Sequence, residues 1–297
     1  MDGFALLGSH LGDPERRILT DAKIRQLTER IRFLNRENPD KQLEAGDLTP
    51  LGYGETEIRQ ILSLLSDRDQ LSLYLQEGQH RGCNLLTRGD ENYPGQLRKR
   101  LAGESPCCLF YKGDLEILKN PGISLVGSRD LRNENRKFAR EAGRQAALHG
   151  LTLISGNARG ADREAQEACL EAGGRVISVV ADELSTKVRR ERIFYLSQED
   201  FDAPFSAARA LSRNRVIHSL GILTLVAQCS LETGGTWSGT SRNLQKGWSL
   251  VACFRDGSEA SLALQNQGAY LISLEDLSRL TEIRDPQMNF FDEIGEP

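Results

Sequence analysis

The feature that most constrains this 297-residue chain is a rhythm that begins near residue 120. Short apolar runs alternate there with stretches of helical periodicity: Ile123–Val126, a helix to His149, Thr152–Ile154, a helix to Glu171, then Val176–Val180. After an Arg-rich interval come a helix near Arg209–Ser219, the run Ile222–Ala227, a helix to Lys246, Leu250–Cys253, another helix and Ala269–Ile272. Strands that alternate with helices in this way imply βαβ units and a parallel sheet. The runs are apolar throughout rather than alternating, as in strands covered on both faces. The pattern predicts an α/β fold with a doubly wound, mostly parallel sheet over residues 89–274.

Upstream, residues 1–88 read as a small helical domain. Apolar residues recur near a 3.6-residue period from Asp21 to Leu34 and again from Thr56 to Leu75, with Gly-bearing turns between. No catalytic cluster is visible here, so this part reads as an interaction or packing domain. Residues 275–297 form an acidic tail with seven acidic and two basic groups. No apolar run approaches the ~20 residues needed to span a bilayer, and the N-terminus lacks a basic stretch before an apolar one. The expectation is a cytoplasmic protein without a membrane partner.

Net charge is −4, which argues against wholesale polyanion binding, but the charge is uneven. Of 38 basic residues 30 are Arg, and residues 121–220 are the only net-positive third, with 16 basic and 13 acidic groups. Arginine presents a planar fork suited to phosphate and carboxylate, although genome composition alone also raises Arg over Lys. The six cysteines form no C-x-x-C pair and have no His at metal-ligand spacing, so no metal is expected.

Ligands of such sheets bind at the carboxyl ends of strands, where loops enter helix N-termini. The first strand ends in Gly127-Ser128-Arg129, and the second in Ser155-Gly156-Asn157-Ala158-Arg159-Gly160-Ala161-Asp162. Either alone is compatible with a tight turn. Together they point to a phosphate or nucleotide-backbone site. The third strand leads into Lys187, Arg189, Arg190 and Arg192, either a solvated charge run or a basic rim on the same sheet edge. Arg213-Asn214-Arg215 opens a later helix, two cations bracketing an amide as suits consecutive phosphates.

These motifs carry a family resemblance. Tyr93-Pro94…Leu97, Pro106…Leu109-Phe110-Tyr111-Lys112-Gly113-Asp114 and Val126-Gly127-Ser128-Arg129 look like the opening of the DprA/Smf DNA-processing proteins. Ser155-Gly156-x-Ala158-x-Gly160-x-Asp162, Gly173-Gly174 and Arg213-Asn214-Arg215 continue the match in order, over about residues 90–273. The chain resembles a divergent member without a C-terminal winged helix. It carries Gln166 and Gln228 where the family pattern has His and Ala. The resemblance implies an extended Rossmann-like domain that binds single-stranded DNA and presents it to a RecA-type recombinase, as a homodimer without cofactor. By position it implies Gly127, Ser128, Arg129, Ser155, Gly156, Gly160, Asp162, Arg213, Asn214 and Arg215 in a DNA-phosphate pocket; Arg159, Lys187, Arg189 and Arg190 join the expected site from the strand-end and charge-run readings alone.

Two further readings stay open. Gly234-Gly235-Thr236-Trp237-Ser238-Gly239-Thr240 resembles the loop of nucleotide phosphoribohydrolases of the same superfamily, which admits a nucleotide sensor or hydrolase. No carboxylate follows the loop, and none of the four histidines has a nucleophile context, so no catalytic residue is expected. Trp237, Leu244, Trp248, Leu250 and Leu262–Leu264 are candidates for a dimer interface. Gln287-Met288-Asn289-Phe290-Phe291 is similar to the Gln-Leu-x-Leu-Phe pentapeptide that docks on the bacterial sliding clamp, with Gln287, Met288, Phe290 and Phe291 as the contact residues.

Overall fold

The computed structural model describes residues 2–34 and 42–283. The chain divides into two compact units. The first comprises Met1–Lys112 with the segments Asp182–Lys187 and Ser197–Pro204. Its helices are α1 (Asp2–Gly8), α2 (Asp21–Arg32), α3 (Ala45–Leu48), α4 (Glu55–Ser66), α5 (Arg68–His80) and α6 (Gly95–Leu101). A hairpin accompanies them, β1 (Asn84–Thr87) antiparallel to β2 (Cys108–Lys112), with Leu86 opposite Leu109. Leu6, Ile24, Leu27, Leu48, Leu97 and Leu109 form its fully buried core.

The stretch Thr56–Leu75 is two helices rather than one. The backbone leaves the helical region at Asp67, whose carboxylate accepts from Arg16 Nε at 3.2 Å and Nη2 at 3.0 Å. The segment Ser197–Pro204 is tied in by Asp200, which accepts from Ser9 Oγ at 2.7 Å and the His10 amide at 2.8 Å.

The second unit contains β3 (Gly122–Val126), β4 (Thr152–Ser155), β5 (Arg175–Val179), all but the last residue of β6 (Ile193–Ser197), β7 (Leu223–Val226), β8 (Leu250–Phe254) and β9 (Tyr270–Ile272). Their order is β6-β5-β4-β3-β7-β8-β9, and every pairing is parallel. The helices are α7 (Asn133–Leu148), α8 (Ala161–Glu171), α9 (Ala207–Ser212), α10 (Asn214–Leu220), α11 (Gly234–Lys246) and α12 (Glu259–Asn266). Leu125, Leu153, Val176 and Leu225 are buried at the centre of the sheet. Strand order reverses between β3 and β7, the crevice where ligands of doubly wound sheets bind. The fold is the α/β, mostly parallel sheet that the apolar rhythm predicts, with the Rossmann-like arrangement that the resemblance implies.

Two differences from the sequence reading matter. The strand β6 was not foreseen, because residues 180–192 hold no α-helix to mark a crossover. The helix near Arg209–Ser219 is two, α9 and α10, meeting at Arg213. Among the described residues all six cysteines are free, no cluster of His, Cys, Asp or Glu has metal-binding geometry, and no helix is long and apolar enough to cross a membrane.

Candidate nucleic-acid interface

The second unit has a cleft of about 620 Å³ at the carboxyl edge of the sheet, over the β3–β7 reversal. One wall is the loop after β3, Gly127-Ser128-Arg129. The opposite wall is the segment Cys229–Thr233 and the start of α11. Ala207, Ala210 and Leu211 of α9, with Ile217 of α10, make an apolar side, and Arg213 and Asp162 lie in the lining between.

Backbone hydrogen bonds hold these loops together. The Ser128 amide donates to Gln228 O at 2.9 Å, and the Ala161 amide to Ser128 O at 3.1 Å. Gln228 braces the neighbouring turn with its side chain, accepting from the Arg132 amide at 2.9 Å and donating to Asp130 O at 3.1 Å. Thr236 Oγ1 donates to Gly127 O at 3.0 Å, fastening the first turn of α11 to the β3 loop. Gly127 has no room for a side chain, since a Cβ would stand 2.5 Å from the Ala161 Cβ. Gly160 takes φ +87° and ψ −129°, and a Cβ there would meet Ser128 O at 2.4 Å.

The floor is electrostatic. Arg213 is buried, and its Nη1 donates to Val179 O, the last residue of β5. Asp162, also buried, accepts the amides of Gly156 and Ala158, each at 3.1 Å. Burial pushes the Asp162 carboxyl above its ordinary value, against the pull of the Arg213 charge and those two amides. A Cβ on Gly156 would lie 1.8 Å from Arg213 Nη1, so this glycine exists to admit the guanidinium. Ser155 accepts from Gln166 Nε2 at 2.6 Å and is fully buried.

The expected site residues therefore separate. Gly127, Ser128, Arg129, Asp162, Arg213 and Asn214 line the cleft. Ser155, Gly156 and Gly160 shape the turns beneath it. Arg159 is exposed and spends its charge on Asp130 at 2.6 Å. Arg215, half-buried on α10, lies outside the lining. Lys187 belongs to the first unit and pairs with Asp182.

Arg189 and Arg190 do not form a rim on this edge. β6 runs parallel to β5 with Ile193 beside Val176, so the chain must return to the amino edge before β6 begins. These arginines lie at that opposite end. Of the apolar set expected at an interface, Trp248 and Leu264 are buried core, whereas Leu262 is exposed and Trp237 and Leu244 are half-buried. Gln287, Met288, Phe290 and Phe291 lie outside the described residues.

The contribution of α11 is not evident from the sequence alone. Gly234, Gly235, Thr236 and Ser238 enter the lining, and no side chain caps this helix at Thr233. Its first-turn amides thus face the cleft with the positive end of a 13-residue helix dipole. The signal was present as Gly-Gly-Thr directly after a strand. Asn214 Nδ2 donates to Gly235 O at 3.0 Å and links α10 to this start. At the lip stand two charges. Glu232, at φ +54°, is exposed. Arg129 is exposed too, and among the described residues no carboxylate lies within ion-pair distance of it.

A parallel sheet whose strand order reverses beneath a loop-built cleft defines the Rossmann-like class of fold. Comparison with known proteins narrows it. The family of DNA recombination-mediator protein A matches residues 84–282, and the chain belongs to that family. Protein Smf of Escherichia coli strain K12 is 29% identical over 205 residues, covering 64% of this chain and 54% of the relative. DNA processing protein DprA of Streptococcus pneumoniae is 27% identical over 198 residues, covering 63% and 64%. The chain thus matches only about half to two-thirds of the length of such relatives. Among solved structures, DNA processing protein A from S. pneumoniae has the same fold, with a TM-score of 0.68 at 24% identity over 90% of this chain and 99% of that one. The Helicobacter pylori protein follows at 0.58 and 20% identity, over 67% and 96%.

Proposed function

We propose that this protein binds single-stranded DNA through its phosphates in the carboxyl-edge cleft, as a non-catalytic factor of DNA processing and recombination. The observation that carries the reading is Arg129, an exposed guanidinium without a carboxylate partner among the described residues, set beside the uncapped start of α11. Arg129 grips one phosphate bidentately, and the Ser128 hydroxyl, the α11 amides and Asn214 take its neighbours. Arg213, Asp162, Ser155, Gly156 and Gly160 hold the loops in place. The apolar wall of Ala207 and Leu211 leaves room for sugars and bases without reading their edges. Support comes from family membership and from the H. pylori relative, whose structure addresses a single-stranded DNA binding mode.

In this reading the protein acts in the cytoplasm as a homodimer and delivers the strand to a RecA-type recombinase. Residues 287–291 dock on the sliding clamp, which a peptide of residues 284–297 tests against its Gln287→Ala/Phe291→Ala form.

Binding isotherms on single-stranded and duplex oligonucleotides at several salt concentrations test the main claim. Single strands should bind more tightly, with a log–log salt slope of about −0.7 per phosphate neutralised. Arg129→Ala should weaken binding across sequences and lower that slope by about one. Equal affinity for duplex, or an unchanged slope in Arg129→Ala, overturns the assignment.

A second reading has its own observation. A cleft of about 620 Å³ that ends at Gly234-Gly235-Thr236 also suits a single nucleotide, with Glu232 at its lip. Release of base from nucleoside monophosphates, abolished in Glu232→Gln, would favour that reading over DNA binding.

A further inference from the structure

The amino edge of the second unit's sheet carries a second set of arginines. Arg175 opens β5, and the Val176 amide next to it donates to Arg192 O at 2.9 Å, so Arg175 and Arg192 are neighbours across the strands. A tight turn follows from Arg190 to Ile193, closed by the Ile193 amide on Arg190 O at 3.2 Å. Arg192 extends toward the α8–β5 loop, where a Cβ on Gly173 would stand 3.6 Å from its Nη1. All three side chains are exposed, as is the adjoining Arg189.

Among the described residues their charge is not spent internally. On α7 and its approach, Arg132, Arg136, Arg140 and Arg144 each pair with a carboxylate. Among the described residues Arg175, Arg189, Arg190 and Arg192 pair with none, and Glu191 is the one acid within their segment. An unneutralised group of planar forks on a rigid strand edge suits a row of phosphates.

We propose that this amino edge is a second phosphate-backbone contact, separate from the cleft, engaged only by a strand long enough to leave the carboxyl edge and pass around the unit. The inference rests on the single-stranded DNA reading above. Five-residue strands make the sheet about 17 Å deep, and the flanking helices lengthen the path further. A five-nucleotide strand at a duplex-like rise covers about 17 Å and falls short of that longer path, whereas thirty nucleotides at about 100 Å exceed it. An acidic polypeptide is the competing occupant. It is disfavoured because, among the described residues, the arginine segment 188–192 itself offers only Val188 as a large exposed apolar side chain, too little for the apolar centre that protein contacts use.

The test is Arg175→Ala/Arg190→Ala/Arg192→Ala in the full chain, titrated with oligo-dT of thirty and of five nucleotides across a salt series. The wild type and a triple Lys variant serve as controls. The expected result is a salt slope smaller by about two on the thirty-mer, unchanged five-mer binding, and near wild-type behaviour in the Lys variant. An unchanged slope on the thirty-mer overturns the second contact while wild-type binding keeps the cleft reading intact. Equal losses on both lengths overturn its separateness. Failure of the triple variant to bind poly-glutamate, with the thirty-mer unaffected, assigns the edge to an acidic protein and overturns the proposal. No binding of either oligonucleotide by the wild type removes the underlying reading itself.

Discussion

His218 provides a quantitative check on the packing beneath the cleft. Its ring is fully buried on α10, with Nδ1 at 3.3 Å from both Thr224 Oγ1 and Asn243 Nδ2. Its Nε2 has no hydrogen-bond partner and faces the backbone of α11 at Gly239. No carboxylate contributes, and burial alone pushes the imidazole down to about 3 from 6.5. The unfolded chain therefore takes up a proton as pH falls through 6.5, whereas the folded chain does not. Stability contributed by the neutral ring is present above pH 6.5 and drains away toward pH 3. Between pH 7 and pH 5 the loss is about 2 kcal/mol, from 1.36 kcal/mol per decade of proton concentration.

The assay is urea unfolding at both pH values for the wild type and for His218→Gln and His218→Leu. The variants start less stable at pH 7, but their loss on acidification should be smaller than that of the wild type by about 2 kcal/mol. Parallel acid sensitivities in all three proteins would refute the reasoning. So would a ring titration near pH 6.5 followed by NMR in the folded state.

Three other outcomes follow from the packing. Gly143→Ala places a Cβ 2.0 Å from Ala165 O of α8, and should cost about 2 kcal/mol in a urea titration because backbone cannot give way. Arg213→Met strips Val179 O and Asp162 of their cation and should destabilise by about 3 kcal/mol, while Arg129→Ala shifts stability by less than about 0.5 kcal/mol; calorimetry separates the buried arginine from the exposed one. Sedimentation at micromolar concentration should show a dimer, weakened by Trp237→Ala or Leu262→Ala, and a clean monomer would remove the homodimer reading.

Much of the fold was legible because its strands are buried on both faces and stand out as unbroken apolar runs. Ile193-Phe194-Tyr195-Leu196 is such a run too. It is not legible as a strand of the alternation because its crossover from β5 holds a single 3₁₀ turn instead of an α-helix. That omission also put Arg189 and Arg190 on the wrong edge, since only a further parallel strand carries the chain back. Within the site, the residues after β3 were legible because Gly-Ser-Arg combines close approach with donors. Arg213 read as a phosphate ligand, and sequence spacing could not reveal that Gly156 leaves it a slot under the floor. Helix α11 was seen as a motif but not as a wall, because its proximity to β3 depends on strand order.

The loops around the cleft also bear on how this protein tolerates change in chain length. Surface loops ordinarily accept insertions because nothing else depends on their path. Here Gln228 sets the height of Ser128, Asp130 and Arg132, and Ser128 in turn seats the first residue of α8. One added residue at 228–230 would displace two further segments, the 128–132 loop and the start of α8, so natural variation in this region should proceed by substitution rather than by insertion or deletion.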